Sequence, residues 1–522
     1  MTARRRWAAL AVLALPVLLI SVDMTVLGFA VPALSEDLQP SGPQLLWIID
    51  IYSFLLAGLL VLMGNVGDRI GRRRLLMIGA AAFGVASVLA AFATSAEMLI
   101  AARALLGLGG ATLMPSTLSL IRTVFPDDRE RRNAIAVWAA SFAGGAALGP
   151  IIGGFLLEHF WWGSVFLINA PIMLFLLVGA FFLLPESRNA APGPFDLFSA
   201  ALSIAGILPL VYGLKSIGTE GVSALALGMM AIGAVLLWIF VRRQRLLSEP
   251  LLDIGLFEDR VFSVAVLTNL LSTFSVIGLL FFLPQYLQVV VGLSPLRAGL
   301  WMMPLALGTI AGSLAAPRLA NLLGLRAIIG GGMLLAATGF AAGVVLTQTA
   351  PQIGLLVWPA MIGLGIGMAE SLTNDVIVAS APAERTGGAA AISETAYEFG
   401  GAMGTAVLGT LGLAVYRAGL DAAPVSVPES ALEAGSDTLG GVSAAVAGLP
   451  PAVADAFVAV ANSAFTDGMS VVLGVATLVM GYTGVQALIV LRARALTEPE
   501  VPVLEPVPAT TLHTEQAKEL TS

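Results

Sequence analysis

The stretch Gly64-Asn65-Val66-Gly67-Asp68-Arg69-Ile70-Gly71-Arg72-Arg73-Arg74 separates two apolar runs, 44–64 and 75–93. Its glycines permit a tight turn. Its arginines favour lipid headgroups or acidic partners over hydrocarbon, and Asp68 can pair with a neighbour or with a helix end. Two apolar runs joined by such a turn read as a helical hairpin that crosses a bilayer twice. A generic basic loop would explain the arginines but not the Gly-x-x-x-Asp-Arg-x-Gly-Arg-Arg spacing.

The same pattern extends along the chain. Of the 522 residues, 58% are hydrophobic and 11% charged, with a mean hydropathy of +0.93. A soluble domain carries roughly 25% charged residues, so lipid is the solvent this composition fits. Apolar runs long enough to cross a core of about 30 Å fall at 7–31, 44–64, 75–93, 98–121, 134–157, 164–184, 196–214, 222–241, 262–283, 298–317, 326–346, 353–374, 387–415 and 467–491. The first follows Arg4-Arg5-Arg6 and outruns the apolar core of a signal peptide, so it reads as a retained spanning helix. The expected class is therefore an all-α polytopic membrane protein with 14 transmembrane helices.

Loop charge sets the expected orientation. With an even number of crossings both termini share a side. That side collects Arg4–Arg6, Arg69, Arg72–Arg74, Arg129, Arg131, Arg132, Arg188, Arg242, Arg243, Arg245, Arg260, Arg318, Arg326, Arg385, Arg492 and Arg494. The opposite loops hold Lys215, Arg297 and Arg417. The positive-inside rule then places both termini in the cytoplasm. The expected division is a six-helix lobe over 1–190, an inserted pair over 191–245, a second six-helix lobe over 246–495 and a disordered cytoplasmic tail over 496–522. A long outer loop covers about 416–466, with scattered acids such as Glu429, Glu433 and Asp437 and room for a short amphipathic hairpin. Gly145, Gly149, Pro150, Gly153 and Gly154 in the fifth helix are echoed by Gly400, Gly401 and Gly404 in the thirteenth, as a two-lobed transporter with parallel repeats would show.

These motifs together resemble the major facilitator superfamily. The 64–74 turn is similar to its signature loop. Asp23-Met24-Thr25-Val26 with Pro32, Arg103 with Gly107 and Gly109, and Gly145-x-x-x-Gly149-Pro150-x-x-Gly153-Gly154 resemble motifs of its drug/proton antiporters. Phe166-Leu-Ile-Asn169-Ala-Pro171 resembles the 14-helix subfamily. Leu46-Trp47-Ile-Ile-Asp50-Ile-Tyr52 and Ser393-Glu394-Thr-Ala-Tyr397-Glu398 resemble multidrug exporters of the QacA/LfrA type. The resemblance implies a 6+2+6 major facilitator fold in the bacterial inner membrane. It also implies export of organic cations in exchange for protons: quaternary ammonium compounds, dyes and fluoroquinolones. Gating and conformational roles for Gly64, Asp68, Arg69, Gly71, Arg72, Gly145, Gly149, Pro150 and Gly153 follow from it too, the fifth-helix stretch contacting the second lobe.

The residues themselves point the same way. A charge at the bilayer centre costs about 2.5–3.5 kcal/mol on insertion scales, so intramembrane charges are candidates for function. Asp23 lies roughly 24 Å along its helix. Asp50 and Arg103 lie about 9 Å from the outer ends of theirs, which gives all three a similar depth. Arg103 can offset one of the two carboxylates, and a carboxylate taken from water without a partner binds a proton more readily. Proton coupling is accordingly expected of Asp23, Asp50, Arg103 and Glu394. Glu394 and Glu398 share a helix face, where like charges gain nothing structurally, and Tyr397 beside them can add a cation–π contact. Substrate contact is expected from Asp23, Glu394, Glu398, Tyr397, Trp138, Phe142, Phe274 and Phe281, although each aromatic taken alone is more often packing. Glu370 and Asp375 approach the cytoplasmic end and read as interfacial charges.

Several chemistries are excluded. With no cysteine, and with His159 and His513 far apart, no disulfide, metal site or cofactor is expected. Gly213-Leu-Lys215-Ser216 lacks the glycine spacing of a phosphate loop, and Gly363-x-Gly365-x-Gly367 follows no strand. No enzyme activity or nucleic-acid partner is expected, and the partners are small cations, protons and lipid, with the protein a monomer. The family pattern is not matched everywhere. Gly28 stands where many members have Asn, Thr309 where some have an acid, and Ser393 precedes a single Glu394. Fewer intramembrane acids predict that monovalent cations are handled better than dications. The rivals are an exporter of a specific endogenous metabolite, antibiotic or lipid on the same fold, and a non-transporting membrane sensor.

Overall fold

The computed structural model describes residues 2–188, 196–247, 250–349, 351–381, 386–422, parts of 428–446, and 449–491. The tail 496–522, Arg385, Arg492, Arg494, Glu429, Glu433 and Asp437 lie outside the described residues. Fourteen helices among those described are long and apolar enough to cross a membrane. They are α1 Ala3–Leu38, α2 Gly42–Ile70, α3 Arg72–Ala91, α4 Ala96–Val124, α5 Asp128–His159, α6 Ser164–Leu183, α7 Leu197–Glu220, α8 Ala224–Leu246, α9 Arg260–Val290, α10 Pro295–Leu323, α11 Leu325–Thr349, α12 Pro351–Ser380, α13 Gly388–Asp421 and α14 Pro451–Val490. No strand occurs among the described residues. Large apolar side chains such as Phe181, Phe182, Leu314 and Leu478 face outward, as lipid allows.

Two helix ends differ from the sequence expectation. α7 continues past 214 to Glu220, so Lys215 is a helical residue and not part of an outer loop. The region 416–466 is largely helical: α13 runs to Asp421 and α14 begins at Pro451. Between them Gly441–Val446 forms a short helix against α1 and α14. Arg417 lies in α13 and donates to the Ser436 carbonyl, while Tyr416 donates to that of Gly435.

Helices α1–α6 pack among themselves, chiefly α1 on α5, α2 on α4, and α3 on α4 and α6. Helices α9–α14 do likewise, chiefly α12 on α10 and α11, α14 on α11, and α13 on α9 and α14. α7 and α8 pair with each other, and α7 touches both groups through α2 and α13. The signature turn is held within its own group. Gly71 adopts φ +109° and joins α2 to α3. A side chain there would also strike the Glu186 carboxylate. Glu186 accepts from the Arg73 amide at 3.0 Å, and Arg72 donates twice to Asp68, at 2.6 and 3.0 Å. Arg69 is exposed, and Gly64 makes only ordinary contact with Pro115.

The glycine stripe of α5 turns out to face α1. A Cβ on Gly145, Gly149 or Gly153 would overlap Leu18, Thr25 or Val26, so the stripe brings two helices of the same group together. It is Pro150 and Gly154 that meet the other group: Gly299 of α10 sits on the Pro150 carbonyl, and Gly154 on the backbone of Pro295. The adjoining Glu158 carboxylate accepts from the Ser294 hydroxyl and the Leu296 amide at the start of α10. Gln288 of α9 donates to the Phe29 carbonyl of α1. The two groups therefore meet closely at the membrane face remote from the N-terminus. Gly149→Leu should overpack the α1–α5 seam and cost about 1–3 kcal/mol. The expected result is a lower melting temperature of the purified protein, and an unchanged one would refute the seam.

Candidate functional site

The buried charges gather where α1, α2, α4 and α7 approach α9, α12 and α13. Asp23 and Arg103 form an ion pair of 2.5 Å, with relative exposures of 1% and 2%. The similar depth expected for them is what the structure has. Arg103 also donates to the Ile48 carbonyl at 3.0 Å and to that of Ile49 at 3.4 Å. Its guanidinium lies 4.6 Å from the Tyr52 ring centroid. One side chain thus ties α1, α2 and α4 together.

Asp50 does not share Arg103. Its Oδ2 lies 2.8 Å from Lys215 Nζ, both residues being 1% exposed. The expectation that one of the two carboxylates lacks a counter-ion is corrected here, because α7 supplies a second cation. Sequence reasoning missed it: Lys215 stands at the fading end of an apolar run, where a lysine reads as the start of a loop.

The second group of helices contributes interior acids that pair with no base among the described residues. Glu398 of α13 is fully buried, and neither carboxylate oxygen has a hydrogen-bond partner among the described residues. Glu394 is half-buried one turn earlier. Glu370 of α12 accepts from the Ser272 hydroxyl of α9 at 2.6 Å. Ser272 is itself buried, so Glu370 is held inside the second helix group and is not an interfacial charge. Ser393 lies in a chain in which Asn269 donates to its hydroxyl and that hydroxyl donates to Asn374.

A narrow cavity between the helix groups is lined by Asp50, Tyr52, Arg103, Phe281 and Thr405, among others. Gly28 lines it too, and a Cβ there would press on the Leu280 carbonyl, so glycine lets α1 approach α9. Phe142 packs edge-on against Tyr397 at 6.0 Å across the helix groups. Trp138 donates to Thr117 at 3.1 Å, and Phe274 is half-buried beside Gly404; neither lines the cavity. Thr309 faces Gly363 and Gly367 of α12, so that glycine pattern is helix packing. No cluster of metal-binding side chains occurs among the described residues.

A cavity between two six-helix groups, with Asp50 and Arg103 of the first group in its wall and Phe281 and Thr405 of the second opposite them, fits a membrane transporter. The chain belongs to the Major Facilitator Superfamily, whose family model matches residues 13–405. It is 48% identical over 469 residues to the multidrug efflux pump LfrA of Mycolicibacterium smegmatis, covering 90% of this chain and 93% of that one. It is 39% identical over 472 residues to the methyl viologen resistance protein SmvA of Salmonella typhimurium, covering 90% and 95%. The crystal structure of a bacterial homolog to the human lysosomal transporter Spinster, in an inward-facing and unoccupied conformation, matches with a TM-score of 0.63 at 16% identity. It covers 94% of this chain and 98% of that one, and shows the shared fold.

The pairing predicts unequal substitutions. Arg103→Ala strands Asp23 and should cost roughly 3–5 kcal/mol. Asp23→Asn should cost less, because Arg103 keeps its two carbonyl acceptors. Melting temperatures of the purified variants check the order, and a reversed order would refute the pairing.

Proposed function

We propose that this transporter exports lipophilic organic cations in exchange for protons by alternating access. The observation that carries the proposal is the surplus of interior acids. Arg103 and Lys215 each face one carboxylate. Among the described residues, no lysine or arginine pairs with Glu370, Glu394 or Glu398 of α12 and α13. A water-poor site with surplus carboxylates favours protons or organic cations, and either occupant excludes the other. Tyr397 and Phe142 supply aromatic surface for a flat cation. An anionic substrate would need unmatched bases, which disfavours an exporter of acidic metabolites. Asp23, Asp50, Arg103 and Glu394 remain the proposed proton-coupling groups.

The expectation of a monovalent preference undercounted the acids. It treated Glu370 as interfacial, and the hydrogen bond from the buried Ser272 of α9 supports counting it among the interior acids. Divalent cations therefore enter the proposed substrate class. SmvA is named for resistance to methyl viologen, a bis-quaternary compound. Each charge moved across the membrane is worth about 2.3 kcal/mol per 100 mV, so one proton exchanged for one monovalent cation is electroneutral.

We place the lobes at 1–190 and 246–495 and the inserted pair at 191–245. Both termini are cytoplasmic in a bacterial inner membrane, on the loop-charge argument. The face at Glu158, Ser294 and Gln288, where the two groups meet, is then the outer one.

Inverted vesicles with an imposed pH gradient test the coupling. Adding ethidium should release protons in the wild type and not in Asp23→Asn. Normal dye-coupled proton movement in that variant would overturn the assignment. Glu394→Gln should raise the dye susceptibility of cells several-fold, and unchanged resistance would make Glu394 structural. Bis-quaternary compounds should be exported along with mono-quaternary ones, and their exclusion would restore the monovalent preference.

A further inference from the structure

Lys215 has no business in a lipid-facing helix unless something holds it. α7 belongs to the inserted pair, whose outer surfaces present apolar residues such as Leu225, Ile232 and Trp238. An ammonium group in hydrocarbon costs about 2.5–3.5 kcal/mol on insertion scales. Lys215 avoids lipid by reaching into the protein. Its Nζ meets Asp50 and lies 4.2 Å from the Trp47 ring centroid. Trp47 and Asp50 are three residues apart on α2 and share a face. Asp50 lines the central cavity, as does Thr405, which opens the π-helical turn Thr405–Gly409 of α13. A carboxylate and an indole face enclosing an alkylammonium have the chemistry that recognises a lipophilic organic cation. The occupant here is part of the chain.

We infer that Trp47 and Asp50 form an organic-cation subsite adjoining the central cavity at Asp50, and that Lys215 is a tethered competitor for it. The inserted pair thereby acts on specificity. It holds the subsite closed until a substrate cation, flat against Trp47, takes over the Asp50 carboxylate. Small or strongly hydrated cations gain little from the indole and do not displace the lysine. A purely structural ion pair differs in one respect: removing its cation would give the substrate nothing.

The inference rests on the proposed binding of organic cations, and direct binding separates the two. The probe is tetraphenylphosphonium, titrated into the purified full-length protein, with melting temperature as a check on folding. Lys215→Met should bind it tighter than the wild type by about fivefold or more. Asp50→Asn combined with Lys215→Met should abolish that gain, and Lys215→Arg should bind like the wild type. If Lys215→Met does not fold, Lys215→Gln replaces it, since its amide can still donate to Asp50 without a charge. Wild-type binding with unchanged or weaker binding in the folded neutral variant overturns the tethered competitor alone. A wild type that binds no tetraphenylphosphonium overturns the cation-exporter proposal and this inference with it.

Discussion

A charge inside hydrocarbon must find a partner or give up its charge, and the interior of this protein is ordered by that requirement. Arg103 answers it with Asp23 and two carbonyls of α2, which fixes three helices against one another. Lys215 answers it with Asp50, which draws a helix of the inserted pair toward the centre. A buried ion pair adds little net stability, since desolvation offsets most of the Coulombic gain. Losing one partner is costly all the same, so such pairs specify arrangement more than they add strength.

The glycine contacts make this possible. Desolvation is complete only where helices approach closely, and the sequence places glycine where they do. Gly149 and Gly153 seat α5 on α1 close to Asp23, and Gly107 seats α4 on the Tyr52 backbone of α2. Gly28 brings α1 to α9 at the edge of the cavity. The packing and the charges are one design, because the small residues exclude the water and lipid that would otherwise compete for Asp23 and Arg103.

Much of this was legible in the sequence. Fourteen runs each come to about the length of a bilayer crossing, so the helix count needed no tertiary information. Asp23 and Arg103 were assigned the same depth from rise per residue alone, and they pair. What escaped notice depended on where helices end and which way they face. Lys215 lies one residue beyond the apolar run assigned to α7, and only packing against α2 shows that the helix carries it inward. The first turns of α14, with Asp455 among them, are only mildly apolar and read as loop until the fold extends them. Glu370 sits ten residues from the end of α12, a position that sequence depth read as solvated and that Ser272 of α9 shows to be enclosed. The α5 stripe was visible as a stripe, but its partner was not, because periodicity gives a face and not the neighbour.

The same division of forces bears on the proposed alternation between states. The strongest electrostatic contacts described here lie within a helix group or between a group and the inserted pair. Asp23–Arg103 sits wholly within α1–α6. Where the two groups meet, at the face with Glu158 and Gln288, the contacts are of another kind: glycine against backbone, a glutamine on a carbonyl, and the exposed Glu158 at the start of α10. Parting such contacts leaves neutral backbone groups and one solvent-accessible carboxylate, all of which water can satisfy at about 0.5–1.5 kcal/mol per hydrogen bond exchanged. Rocking the groups apart at that face thus strands no buried charge. Ion pairs across that seam would face a desolvation penalty whenever the groups parted; among the described residues, the buried pairs Asp23–Arg103 and Asp50–Lys215 lie off it.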